Sequence, residues 1–194
     1  STMKKLSIAS GLLICSLLVA YTLAPRSQAA PEEKVEADSR CAVCGMFVAK
    51  YPNWLTQIRH ADGKVFCFDG AKDMLAYYFN PEQYGSYSQD SIEEIWVKDY
   101  YKLHYIDGRK AYYVTGSDVT GPMGHEFIPF ASKEAAEAFK KDHHGDKVWT
   151  FTEITPAKVK SMRSGHMMKM NGHHSGGSSE EGQHMNGGQM MHHQ

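Results

Sequence analysis

The chain has 194 residues, 42% hydrophobic and 11% aromatic, with 21 Lys+Arg against 22 Asp+Glu. That length and apolar share suit one medium domain or two small ones. The formal net charge of −1 argues against a nucleic-acid binder, which carries a basic excess on one face, and four cysteines are too few for a disulfide scaffold.

Lys4-Lys5 precede an apolar stretch from Leu6 to Ala24, and Ser27-Gln28-Ala29-Ala30 offers a small-x-small cleavage site, most simply after Ala29. Residues 1–30 therefore read as an export signal. An uncleaved membrane anchor competes with this, because the apolar run approaches the ~20 residues that span a bilayer. Lipid attachment at Cys15 is a third reading, weakened by Ile14 where a small residue is expected. All three place the remainder in the periplasm or another extracytoplasmic space.

Residues 31–40 are polar and read as a linker. Within 41–155, Trp54–His60 and Lys64–Phe68 read as strands joined at the Asp62-Gly63 turn. Asp69 is expected to cap a helix running to about Phe79, with Met74, Leu75, Tyr78 and Phe79 at helical spacing. Ile92–Lys98 is the next strand. The order then repeats: Tyr101–Ile106 and Lys110–Thr115 are expected to form a hairpin at Asp107-Gly108, with Glu126–Phe130 a strand. Ser132 is expected to cap a helix carrying Ala135, Ala136 and Phe139, and Lys147–Thr152 to close the unit. Phe68-Asp69-Gly70-Ala71-Lys72-Asp73 aligns loosely with Phe130-Ala131-Ser132-Lys133-Glu134, and each closing strand carries a central Trp, Trp96 or Trp149. The expectation is an α+β fold of two small ββαβ-like modules, 41–98 and 99–155, with mainly antiparallel sheets. Residues 156–194 are expected to be disordered, because too little apolar surface remains to offset ordering entropy.

Cys41-Ala42-Val43-Cys44-Gly45-Met46 is the sharpest local signal, preceding a segment (Phe47–Pro52) that reads as extended. A short-loop disulfide or a thioredoxin-like redox pair would use the same two cysteines. Only Cys67 remains after the leader, which excludes a four-cysteine zinc site within one chain. Thiolate and thioether together select Cu(I), so Cys41, Cys44 and Met46 are candidate ligands. Gly121-Pro122-Met123-Gly124-His125 is the second candidate: either a turn whose Met fills a core gap, or a further thioether from Met123 with an imidazole from His125. Cys67 reads as a buried strand cysteine, and His60 and His104 as surface histidines. Seven of the 11 Met and six of the 11 His fall from Met162 onward. That tract reads as a solvated tail able to collect copper, because imidazole and thioether bind without losing a proton. No nucleophile elbow, HExxH or phosphate loop is present, so no enzyme is expected.

Taken together, CAVCGMFVAKYPNW, DGKVFCFDGAKDM and VTGPMGHEFIPF resemble the NosL family, accessory copper chaperones of nitrous oxide reductase, over roughly residues 40–155. The resemblance implies an exported, usually lipid-anchored protein of two ββαβ modules, related in fold to a domain of organomercurial lyase. It implies one Cu(I) held through Cys44 and Met46, delivery toward nitrous oxide reductase, and cooperation with the NosDFY membrane complex. Met123 matches a Met of the family's second module, His125 matches more loosely, and Cys41 makes this a CxxC version. Two other classes use the same residues: a thiol–disulfide reductase at Cys41/Cys44, and a copper storage or resistance protein with the tail as its main site.

Overall fold

The computed structural model describes residues 30–173, with side chains through residue 164. Residues 1–29, which hold Cys15 and nearly all of the expected export signal, lie outside the described residues, as does the chain after residue 173. No helix among the described residues is long and apolar enough to cross a membrane.

Thr56–His60 (β1) turns into Val65–Phe68 (β2) through the Asp-Gly pair. Gly63 sits at φ +88°, and the Lys64 N–H donates to Asp62 Oδ1 at 3.0 Å, as the turn chemistry predicts. Ala71–Phe79 forms helix α1, and Ile92–Lys98 (β3) returns antiparallel to β1. Tyr105–Asp107 (β4) pairs with β3, giving the order β2-β1-β3-β4. The second sheet comprises Tyr112–Thr115 (β5), Ile128–Phe130 (β6) and Lys147–Thr150 (β7) in the order β6-β5-β7, with helix α2 (Lys133–Asp142) between β6 and β7.

The two modules share their register. Thr56 faces Phe68 and Gln57 faces Trp96 in the first; Tyr112 faces Phe130 and Tyr113 faces Trp149 in the second. The α+β architecture of two antiparallel ββαβ units is therefore as the sequence predicts. One main core runs through both, from Leu55, Ile58, Phe68, Met74, Leu75 and Tyr77 to Tyr113 and Phe127. A smaller cluster of Val114, Ile128, Phe130, Ala136 and Phe139 belongs to the second module.

Several expectations are corrected. Asp107-Gly108 turns no hairpin: β4 joins the first sheet, so the second module starts at β5. The Gly108 N–H donates to the Ile95 carbonyl at 2.8 Å, and a Cβ there would lie 2.6 Å from Ile95 Cγ2, so the glycine serves a close backbone approach. Val48–Lys50, expected to be extended, is a 3₁₀ turn that buries Val48. His60 is fully buried, with Nδ1 2.7 Å from Ser91 Oγ and Nε2 2.9 Å from Tyr77 Oη; both ring nitrogens are satisfied, which is what permits burial. The start of the supposed disordered segment is helix α3, Pro156–His173. It packs on α1 through Val159 and Met162, so tertiary burial supplies what local hydrophobicity does not.

Candidate metal centre

The CxxCGM loop folds on its own backbone. The Cys41 N–H donates to the Met46 carbonyl at 2.8 Å, and the Gly45 N–H to the Cys41 carbonyl at 2.9 Å. Closing so short a loop puts Gly45 at φ +77°, where a side chain would be strained. Arg40 clamps the outside, donating to the Gly45 carbonyl at 2.9 Å and lying 3.9 Å over the Phe47 ring. The Cys44 N–H points at Cys41 Sγ, 3.4 Å away, and both cysteines are free thiols. The Ala42 N–H reaches the Cys67 carbonyl of β2 at 3.4 Å, which ties the loop to the sheet.

Two carboxylates complete the arrangement. Asp69 precedes α1 and Asp73 lies in its first turn. Four residues apart, they fall on one side of the helix start. Cys44 Sγ donates to Asp69 Oδ1 at 3.3 Å, and Cys41 Sγ to Asp73 Oδ2 at 3.6 Å. One donor atom from each of Cys41, Cys44, Asp69 and Asp73 lies within 4.8 Å of all the others. Three of the four residues are buried and Cys44 is half-buried. The hydrogen bond with Cys41 and burial push the Cys44 thiol well above its ordinary range, so without a cation the sulfur keeps its proton. Asp69 Oδ2 is buried with no hydrogen-bond partner. Such an orphan is rare in a folded protein, and beside two thiols and a second carboxylate it offers an acceptor that a bound cation or a water can satisfy.

Asp69 is free for this role because α1 does not use it as a cap. The cap position is Gly70, with no side-chain hydrogen bond. Glu126, from the β5–β6 connection, supplies the acceptor instead: its Oε1 takes the N–H of Lys72 and the N–H of Phe127. The approach is close enough that a Cβ on Gly70 would meet Glu126 Oε2 at 2.3 Å. Burial pushes the Glu126 carboxyl up to about 8, against the opposing pull of Lys72. Lys72 Nζ donates to the carbonyls of Met123 (2.7 Å) and His125 (2.9 Å). The Gly-Pro-Met-Gly-His loop is thus fastened to the same helix turn that presents Asp69 and Asp73. On the other side Arg163 of α3 lies 3.4 Å from Asp73 Oδ1 and donates to Tyr84 Oη at 3.0 Å.

Of the residues singled out from sequence, Cys41 and Cys44 share the donor cluster. Met46 closes their loop through its carbonyl, and Met123 is half-buried on the loop held by Lys72. His125 is exposed and is not one of the four clustered donors. Asp69 and Asp73 were missed as site residues. Their four-residue spacing across a predicted helix start was visible, but Asp69 was spent there on a local cap.

A small α+β protein with a sulfur–carboxylate donor cluster at a helix start is the class these features define. The NosL family model matches residues 32–159, more than half of the chain. The chain belongs to the NosL family. It is 33% identical over 129 residues to the copper-binding lipoprotein NosL of Stutzerimonas stutzeri, a match spanning 64% of this chain and 66% of that protein, just under two thirds of its length. The crystal structure of the copper chaperone NosL from Shewanella denitrificans is similar at a TM-score of 0.58 and 30% identity, over 69% of this chain and 99% of that one.

Proposed function

We propose that the chain is an extracytoplasmic Cu(I) carrier rather than an enzyme, and that it hands copper to a protein partner by ligand exchange. The observation that carries this reading is the four-donor cluster with its orphaned buried carboxylate oxygen. Each cysteine proton rests on a carboxylate. A cation taking the sulfurs displaces those protons and satisfies Asp69. Soft thiolates select Cu(I), while the carboxylates position the sulfurs and offset the cation's charge. The thioethers of Met46 and Met123 are proposed as further ligands from the two loops around the α1 start, and His125 as an outlying donor on the Met123 loop. Half-exposure of Cys44 leaves one side open, where a partner's ligand attaches before the carrier's own ligands leave. Family membership supports nitrous oxide reductase and the NosDFY complex as the receiving side, and an exported or membrane-anchored location.

The test is an anaerobic Cu(I) titration of the reduced protein against a competing chelator. Wild type is expected to hold one tight copper, and Cys44→Ser to lose it. An unchanged affinity in Cys44→Ser would overturn the assignment. Reduction of insulin disulfides by the metal-free protein would favour the thiol–disulfide reductase instead.

A further inference from the structure

Two cysteines and two aspartates are also a donor set that a divalent zinc ion takes. Sulfur softness alone therefore leaves Zn(II) as a competitor for the cluster, and the cations around it bear on the choice. Arg40 donates to the Gly45 carbonyl, and Lys72 to the carbonyls of Met123 and His125. Arg163 differs, because it pairs with a carboxylate of the cluster itself.

Helix α3 puts it there. Thr155 Oγ1 accepts the Lys158 N–H at 3.2 Å where the helix begins. Val159 is buried and Met162 packs on the main core. Arg163 follows Val159 by one helical turn and so falls on the side that meets α1. Its Nε lies 3.4 Å from Asp73 Oδ1, while Nη1 donates to Tyr84 Oη at 3.0 Å. Tyr84 is itself stacked on buried Tyr77, with ring centroids 6.1 Å apart, so the guanidinium is held from two sides. The Asp73 side chain is 6% exposed and that of Arg163 35%, so water screens this pair less than one on the open surface. The other Asp73 oxygen, Oδ2, accepts from the Cys41 thiol. The positive charge thus stands one carboxylate away from the sulfurs.

We propose that Arg163 is a specificity-determining residue that biases the cluster toward a monovalent over a divalent cation. The proposal rests on the copper-carrier reading above. With the same two sulfurs bound, the same thiol protons leave for either metal, so they drop out of the comparison. The loaded site is then one charge more negative with Cu(I) than with Zn(II). A fixed positive charge beside Asp73 stabilises the more negative state. Arg163 also occupies Asp73 Oδ1, so this aspartate does not close on a divalent ion with both oxygens. Cu(I) depends least on that oxygen, because soft sulfur donors hold it.

The experiment uses the full reduced chain and the variants Arg163→Gln, Arg163→Lys and Cys44→Ser under anaerobic conditions. Cu(I) affinity is measured against a competing chelator. Zn(II) affinity is measured by displacement of Co(II), whose sulfur charge-transfer band counts only ions on the cysteines. Gln and Lys keep an aliphatic stem and the helix propensity of Arg, and urea midpoints check that the fold is kept. Arg163→Gln is expected to lower the ratio of Cu(I) to Zn(II) affinity roughly 10-fold, the size of one partly screened charge interaction. Arg163→Lys keeps the charge and should keep most of the ratio. A merely structural Arg163 would weaken both metals together and leave the ratio unchanged, which would overturn the proposal. An equal fall of the ratio in Arg163→Lys would overturn it too. So would a failure of Co(II) to reach the cysteines in both wild type and Arg163→Gln, since Arg163 would then have nothing to exclude. Tight Cu(I) binding retained in Cys44→Ser would instead bring down the carrier reading, so the two failures are distinguishable.

Discussion

The two modules have the same strand order and register, yet their helices start differently. α2 is capped locally: the Ser132 side chain accepts the Ala135 N–H at 3.2 Å, lysines occupy the last turn, and only Ala136 and Phe139 are buried. α1 is buried from Ala71 to Tyr77 and has no side-chain cap of its own. Its acceptor, Glu126, comes from the second module. The connection that delivers Glu126 joins β5 to β6, whereas the matching connection in the first module is the tight Asp62-Gly63 turn. A borrowed cap lets the residue before the helix do something else. Asp69 turns to Cys44, and one copy of a duplicated unit acquires a donor cluster while the other remains a support.

Removing the borrowed cap should have the largest effect. Glu126→Ala leaves the buried N–H groups of Lys72 and Phe127 unpaired and is expected to cost on the order of 3 kcal/mol. Ser132→Ala should cost only about 1 kcal/mol, because the freed N–H can reach water. Urea midpoints compare the two directly; equal losses would erase the contrast between the helices. Gly70→Ala sharpens it further. The new Cβ collides with Glu126 in wild type and meets no carboxylate in Glu126→Ala, so a double-mutant cycle should show strong coupling. Asp69→Asn should act on the metal instead, weakening Cu(I) roughly 10- to 100-fold with little loss of stability. If Asn lowers stability as much as Glu126→Ala does, Asp69 is holding the fold rather than the site.

The modules were legible in the sequence where the signal is local. Asp62-Gly63, the Ser132 cap and the apolar strands gave the right elements because turn and cap residues act over three or four positions. Asp107-Gly108 misled for the same reason: the dipeptide reports that a tight backbone is needed, not which strand lies beside it. Cys41 and Cys44 were legible as a pair. Asp73, Lys72, Glu126 and Arg163 were not, because their meaning depends on contacts between residues far apart in the chain. The C-terminal helix was hidden because, among its described side chains, Val159 and Met162 are the ones that pack on the core, too sparse a pattern to register as amphipathic. His60 looked like a turn-flanking surface residue until Ser91 and Tyr77 supplied partners for both nitrogens.

His60 also marks the smallest expected difference between the modules. Counted along the matched strands, its position in the second module is Gly116, so only the first carries a buried imidazole. Burial lowers its pKa, while Asp62 pulls the other way; Tyr77, Tyr87, Phe66 and Ser91 are its remaining neighbours. A histidine with a lowered folded pKa contributes stability that is present above its unfolded value of about 6.5 and declines as pH falls below it. Glu126 works in the opposite sense: raised to about 8, it contributes most below the ordinary carboxylate range and loses that contribution as pH rises toward 8. Between pH 5.5 and 7.5 the two slopes oppose each other in wild type. His60→Gln should remove the rising component, so the variant's stability falls more steeply with pH than wild type's across this window. Urea unfolding at several pH values measures the slopes, and parallel curves for the two proteins would mean that His60 does not change protonation on unfolding.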